Sequence, residues 1–301
     1  MTHPDTRTEA AVAWLNQGLV LDLIHITRRR VFDDLTAVLV LAAVADASYC
    51  PSGPRPKLEA RSARRMVARA DHRRPIATSR IALSIRLPRE TARGKALGLL
   101  GRGWLERRPD GFVAHPALGA IDGPLLAPFT ERLCRYLDDL ERLGVVGQTS
   151  IAGLSIRDVH AATEVLRVLA RHSLRQWERW RTTAPFEPHL QTYILADLSQ
   201  ATGAHFTAAG CEPPPWTRVT PRSHGLKIAA RLSLPPETVR RNLNALCTAG
   251  RIERGYGGFS VAAIASGADV GTADCPAIAS AKRLVVQLNA LGPDAPLAMA
   301  G

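Results

Sequence analysis

The sequence contains an internal repeat, and this repeat constrains the fold more than any other feature. Residues 81–112 and residues 228–259 align without a gap at a constant offset of 147 residues. Chance does not readily keep so many identities at one offset, so we interpret the two windows as copies of one folding unit. The thirteen identical positions include Pro88/Pro235, Glu90/Glu237, Thr91/Thr238, Arg93/Arg240, Gly103/Gly250 and Phe112/Phe259.

Each window predicts two helices, a tight turn between them, and a hairpin. A short helix over residues 79–86 or 223–232 leads into Leu-Pro, and proline is favoured in the first turn of the helix that follows. Gly103 and Gly250 fit a left-handed residue at the end of that second helix. Strands are then expected over residues 104–107 and 251–254, each turning into a returning strand that starts at Phe112 or Phe259. This order of elements is that of a winged helix-turn-helix.

Apolar residues at helical spacing predict further helices around both windows. They cover residues 8–26, 32–47, 129–143, 159–180, 188–202 and 278–291. We predict a mainly α fold with small β-hairpin wings, in which helices frame two winged helix-turn-helix modules related by a pseudo-two-fold duplication. The Gly-rich stretch 144–155 is the expected boundary. The first half is then 1–147, with a core at about 33–116, and the second is 148–301, with a core at about 188–262 and a C-terminal helix.

The second window resembles a known type of DNA-binding protein. Residues 234–254 read Leu-Pro-x-Glu-Thr-Val-Arg-Arg-x-Leu-x-x-Leu-x-x-x-Gly-x-Ile-Glu-Arg, which resembles the recognition helix and wing of bacterial GntR-type and related one-component repressors. The likeness covers about 35 to 40 residues in each half. Such proteins place Thr-x-Arg at this turn of the recognition helix. The resemblance implies sequence-specific binding of double-stranded DNA in transcriptional control, as a repressor. Unlike GntR proteins, the sequence carries two such modules and no recognisable effector domain, and it identifies no effector.

Basic side chains outnumber acidic ones in the chain of 301 residues. Lys and Arg number 39 against 27 Asp and Glu, so the formal net charge is +12 and the pI is near 10.3. Half of this excess lies in residues 55–74, which hold eight basic and two acidic residues and precede the first window. A basic surface favours a polyanion, because binding releases counterions condensed on the phosphates. We favour a DNA backbone over solvent alone as the neighbour of this basic segment.

Side chains opposite the inward face of each second helix are candidates for DNA contact. Arginine can pair with guanine and asparagine with adenine through two hydrogen bonds, whereas threonine and lysine suit phosphates or thymine methyls. Glu90 and Glu237 fit the helix N-terminus at least as well as a base. The predicted contacts are Arg89, Thr91, Arg93 and Lys95, with Arg107 and Arg108 on the first wing; Thr238, Arg240, Arg241, Asn242 and Asn244, with Arg254 on the second wing; and Arg61, Arg64, Arg65 and Arg69 in the basic segment.

Signatures of enzymes, metal sites and membrane spans are missing from the sequence. It contains no HExxH, GxxxxGKS/T, GxGxxG or GxSxG motif, and its five cysteines form no CxxC or Cys/His cluster. We therefore predict a protein that is not an enzyme and needs no cofactor or metal. The longest apolar run, residues 38–45, is much shorter than the roughly 20 residues that cross a bilayer. A cytoplasmic, nucleoid-associated location is expected.

Two other functions are compatible with the same sequence. Plasmid replication initiators also use tandem winged helices, and some winged helices bind a protein partner. The Arg and Asn residues expected on the exposed faces of the second helices argue against a protein partner in place of DNA. The apolar stripe from Phe129 to Leu143 fits either a homodimer interface or burial between the two halves of one chain.

The basic segment generates the first testable prediction. Replacing Arg61, Arg64, Arg65 and Arg69 with Ala should weaken binding to target DNA and to random DNA by similar factors, because phosphate contacts carry no sequence information. Binding of the unaltered protein should fall on the order of a hundredfold between 50 and 200 mM salt, and the substituted protein should show a shallower salt slope. Loss of target binding alone would mean that the segment reads bases.

Overall fold

The computed structural model describes residues 6–48, 73–120, 123–147, 159–182, 188–215, 217–262 and 277–290. These residues are mainly helical, with two small antiparallel sheets of two strands each. The helices are α1 Thr6–Arg30, α2 Leu35–Ser48, α3 Thr78–Ser84, α4 Arg89–Gly101, α5 Leu126–Arg142, α6 Val159–Thr182, α7 His189–Thr202, α8 Ala204–Ala208, α9 Gly225–Leu232, α10 Pro236–Thr248 and α11 Ala277–Asn289. The strands are β1 Leu105–Arg108, β2 Gly111–Ala114, β3 Ile252–Gly255 and β4 Gly258–Val261, and a 3-10 helix spans Pro116–Gly119.

The first repeat window folds as helix, turn, helix and hairpin. Ala92, Ala96 and Leu99 form the buried face of α4, as their spacing predicts. In the hairpin, Leu105 of β1 lies opposite Ala114 of β2. A backbone bridge from Ile76 to the second strand ties the start of the segment to its wing. The order and approximate bounds of these elements agree with the sequence prediction.

The second window has the same element order and equivalent backbone hydrogen bonds. Val239, Leu243 and Leu246 form the buried face of α10. The bridge between Ile76 and Phe112 has its equivalent, 147 residues later, between Ser223 and Phe259. The turns also match, since Leu87 N donates to Ala82 O at 2.9 Å and Leu234 N donates to Ala229 O at 3.0 Å.

Left-handed residues shape both segments. Gly103 and Gly250 have φ of 74° and 66°, as the sequence predicts for the residue after each second helix. The residues between the two helices, Arg86 and Ser233, have φ of 52° and 49°. A left-handed conformation strains a residue that carries a Cβ, so surrounding contacts must hold these two turns.

One framing helix packs against each of the two repeat segments. Helix α2 contacts α3, α4 and β2, and α7 makes the equivalent contacts with α9, α10 and β4. Helix α2 begins at Leu35, three residues later than predicted, because the Asp34 carboxylate accepts from Ala37 N at 2.7 Å and caps the helix. An ion pair of 2.6 Å between Asp197 of α7 and Arg231 of α9 fastens the second segment to its framing helix.

The two longest described helices contact elements on both sides of residue 147. Helix α1 packs against α5, α7, α8 and α11, and α6 packs against α2, α11 and the 3-10 helix. Apolar residues of both halves therefore belong to one continuous buried cluster. By length and composition alone α1 could cross a membrane, but 72% of its most apolar window is buried inside the protein, as expected of a core helix.

The apolar stripe of α5 is not a free surface. Phe129, Leu133, Tyr136, Leu137 and Leu140 are all buried, and α5 packs on α1. The stripe is buried within the chain, but against α1 of the same predicted half and not between the two predicted halves. The stripe therefore offers no interface for a second copy.

Two glycines of the wings generate a stability prediction. Gly111 has φ of 145°, and a Cβ there would lie 2.2 Å from Ile76 O; Gly258 has φ of 122°, and its Cβ would lie 2.5 Å from Ser223 O. Gly111→Ala and Gly258→Ala should each lower the free energy of unfolding by roughly 1–3 kcal/mol, measured by urea denaturation.

The control for this prediction is Gly94→Ala in α4. Its added Cβ meets nothing within 4 Å and its φ is helical, so the substitution should raise the free energy of unfolding by about 0.5–1 kcal/mol. Equal effects of all three substitutions would contradict the assignment of strain to the two hairpins.

Candidate nucleic-acid interface

Helix α4 presents a mixed polar face to solvent. Arg89, Thr91 and Arg93 are exposed on the side opposite its buried residues, as predicted. An ion pair of 3.5 Å joins Arg93 to Glu90 one turn earlier, with both side chains more than half exposed. Such an exposed pair is weak, about 0–1 kcal/mol, so the guanidinium can leave it for a stronger acceptor such as a phosphate or a guanine edge.

Lys95 of α4 forms an ion pair that the sequence analysis did not predict. Its Nζ lies 2.8 Å from Oδ2 of Asp34, and only 34% of its side chain is exposed. The same carboxylate caps α2, so this ion pair fastens α4 to its framing helix. This ion pair could not be predicted because Asp34 lies 61 residues away in the sequence, and the DNA contact of Lys95 stays a prediction.

Helix α10 carries two exposed arginines around one glutamate. Nη2 of Arg240 lies 2.7 Å from Glu237 Oε1, and Nε of Arg241 lies 3.4 Å from the same oxygen. Hydrogen bonding from Arg240 lowers the pKa of Glu237, so this carboxylate stays ionised. Glu237 therefore lies between the two guanidinium groups on the exposed face, and as with Arg93 and Glu90 such exposed pairs are weak, so both arginines can leave them for a stronger acceptor.

The remaining predicted residues of α10 differ in their availability. Asn244 is exposed, whereas Thr238 and Asn242 are half-buried. The Asn242 side-chain amide donates to Thr238 O at 2.8 Å, within its own helix. Asn242 would have to give up this bond before it could pair with a base through both of its polar atoms.

The wings place their arginines unequally. Arg107 and Arg254 are exposed, and Arg254 lies over the Phe259 ring at 5.9 Å from its centroid. Arg108 is half-buried and lies 3.7 Å from Glu106 Oε2, so it is less available than predicted. Tyr256, which the analysis of the sequence did not select, is fully exposed at the tip of the second wing. An unburied aromatic at a hairpin tip suits stacking or insertion into a groove.

One further pair of basic residues was missed. Arg80 of α3 and Lys227 of α9 are both exposed and stand 147 residues apart. They occupy equivalent positions on the first helix of each repeat segment, and in a helix-turn-helix this helix crosses the DNA backbone. Extending the sequence alignment by a single residue would have found them.

Most of the basic segment lies outside the described residues, including Arg61, Arg64, Arg65 and Arg69. Two of its arginines are described. Arg74 is exposed, whereas Arg73 is largely buried, donates to Ala114 O and lies 2.9 Å from Glu106 Oε2. Arg73 therefore fastens the end of the segment to the first wing.

Other kinds of site have little support in the described part of the chain. No group of three or more His, Cys, Asp or Glu side chains there could hold a metal ion. A cavity of about 680 Å³, which includes space open to solvent, lies between α1, α2, α5, α6 and the 3-10 helix. Its walls are aliphatic and aromatic apart from the Thr27 and Ser173 hydroxyls, and the Thr27 hydroxyl already donates to Leu23 O at 2.8 Å.

Comparison with known proteins identifies a helix-turn-helix in the second repeat window. The model of a family described as a DeoR-like helix-turn-helix domain matches residues 226–264, a range that includes α10, β3 and β4. The type that matches is thus DeoR-like and not GntR-like. No curated protein matches the chain, and no solved structure does. The match and the mainly helical fold with two small sheets support a helix-turn-helix protein that binds double-stranded DNA and regulates transcription.

Proposed function

We propose that this chain is a bacterial transcriptional repressor that reads double-stranded DNA with two winged helix-turn-helix modules, α3 to β2 and α9 to β4. It acts in the cytoplasm, on the nucleoid, and takes part in no reaction of its own. In this proposal the modules arose by duplication and form the two halves, 1–147 and 148–301. The observation that carries it is the pair of exposed arginines, Arg93 and Arg240, at equivalent positions of α4 and α10.

Electrostatics supports DNA as the ligand of both helices. Each helix N-terminus carries partial positive charge and free backbone N–H groups, and arginines follow within the first two turns. The exposed Arg80 and Lys227 extend the basic surface onto the preceding helices. Exposed arginines are well solvated in the free protein. Binding to DNA is still favourable, because their contacts with phosphates release condensed counterions.

The two recognition faces differ, which supports an asymmetric DNA site. Gly94 of α4 corresponds to Arg241 of α10, and Arg89 corresponds to Pro236. Glycine and proline cannot make the paired hydrogen bonds by which arginine reads guanine. We therefore propose that each module prefers its own half-site, and that these half-sites form an imperfect palindrome.

Substitution of the equivalent arginines tests this proposal. Arg93→Ala and Arg240→Ala should each weaken binding to a site selected from random DNA by about 1–3 kcal/mol, because each removes a bidentate contact. Hydroxyl-radical footprinting should show loss of protection at separate positions for the two variants. Arg135→Ala on the exposed side of α5 is the control and should leave the footprint unchanged. Identical footprints for Arg93→Ala and Arg240→Ala, or undiminished binding, would contradict the proposal that the two modules bind separate half-sites.

The unequal roles of Lys95 and Arg89 allow a second test. Lys95→Met removes the ion pair with Asp34 and should lower the free energy of unfolding by up to about 1 kcal/mol, with little change in DNA affinity. Arg89→Met should have the opposite profile, weaker DNA binding with unchanged stability, because Arg89 is exposed at the start of α4. Thermal denaturation and fluorescence anisotropy measure the two effects. A large loss of DNA affinity in Lys95→Met would instead establish Lys95 as a direct contact.

A further inference from the structure

Two buried arginines occupy equivalent places at the ends of the two longest helices. Arg28 lies near the end of α1 and is 5% exposed, and Arg181 lies near the end of α6 and is 9% exposed. Burial of a guanidinium is costly unless its donors are satisfied, so the acceptors of each side chain indicate its role.

Arg28 binds the turn of the second helix-turn-helix. Its guanidinium donates to Leu232 O, the last carbonyl of α9, and to Ser233 O at 3.3 Å. Asp33 balances the charge at 2.6 Å. Ser233 is the left-handed residue between α9 and α10, so Arg28 holds the point at which the chain turns into the recognition helix.

Arg181 binds the turn of the first helix-turn-helix in the same way. Its Nη1 donates to Ile85 O at 3.1 Å and to Arg86 O at 3.4 Å. Arg86 is the left-handed residue between α3 and α4. The carbonyls that Arg181 binds are thus the equivalents, 147 residues earlier, of those that Arg28 binds.

The two contacts cross between the halves of the chain. Helix α1 belongs to the first half, yet Arg28 binds a turn 204 residues away in the second half. Helix α6 belongs to the second half, yet Arg181 binds a turn in the first half. The carbonyls at the end of a short helix have no partners within that helix and carry partial negative charge, so a buried guanidinium is suited to fix them.

We infer that Arg28 and Arg181 are positioning residues, each of which sets the recognition helix of the opposite half. Each long helix thereby holds the turn that leads into the recognition helix of the other half, and we call this pair of contacts the crossed clamp. Neither half then holds its own recognition helix in the DNA-binding orientation without the other half. The readout on DNA rests on the proposed function, but the crossed clamp itself does not.

Hydrogen exchange of the full chain without DNA tests the clamp. Arg28→Gln should raise amide exchange about tenfold or more in residues 225–248, because charge-assisted hydrogen bonds to the turn are lost, and should leave residues 78–101 unchanged. Arg181→Gln should show the reverse pattern. Arg30→Gln and Arg175→Gln, exposed neighbours on the same helices, are the controls and should change neither range. Arg28→Lys and Arg181→Lys, which keep the charge, should give the same crossed pattern at smaller amplitude, even where a Gln variant fails to fold.

Footprinting measures whether the crossed clamp affects DNA binding. Arg28→Lys should reduce protection of the DNA positions that Arg240→Ala affects, and Arg181→Lys those that Arg93→Ala affects. Exchange that rises equally in both ranges, or in the range of the same half, overturns the clamp. If the unaltered protein binds no selected DNA while exchange shows the crossed pattern, the proposed function fails and the clamp stands.

Discussion

Burial of α1 is the constraint on which the rest of the structure depends. Its apolar side chains cover nearly the whole circumference of the helix, and a helix of this kind must be enclosed by other elements. Elements of both halves enclose it, with α5 on one side and α7, α8 and α11 on others. Asn16 fixes its position in this core, because its amide donates to Ala277 O at 3.0 Å and accepts from the buried Tyr136 hydroxyl. The two helix-turn-helix segments are therefore attached to one shared core.

The outer segments contribute local geometry that the core does not impose. Each depends on a left-handed turn, a glycine after the second helix and a glycine in the hairpin, and all three lie at matched positions. These features set the angle between the helices and bring each wing back against its segment. The side chains that would face DNA are then free to vary, because they carry little of the packing.

The sequence was sufficient for features that depend on local chemistry and was insufficient for contacts across the chain. Pro88, Gly103 and the 147-residue offset predicted the elements and the exposed faces of α4 and α10 correctly. The ion pair of Lys95 was missed, because its partner Asp34 lies outside the repeat window. The contacts of Arg28 and Arg181 could not be predicted. An arginine in an amphipathic helix fits the same sequence pattern whether it is solvated or buried against a distant turn.

If both repeat segments bind DNA as we propose, placing them in one chain has a consequence that a homodimer cannot reproduce. Two identical subunits must present identical recognition faces, and therefore favour symmetric sites. In the proposed arrangement the two modules are encoded separately, so Gly94 and Arg241 can differ at equivalent positions while the buried faces stay alike. Because the second module then binds intramolecularly once the first is engaged, occupancy of such a site would not depend on a prior association of subunits. Asymmetric readout and independence from dimerisation thus follow from the same arrangement, provided that the shared core keeps the two helices in a fixed relation.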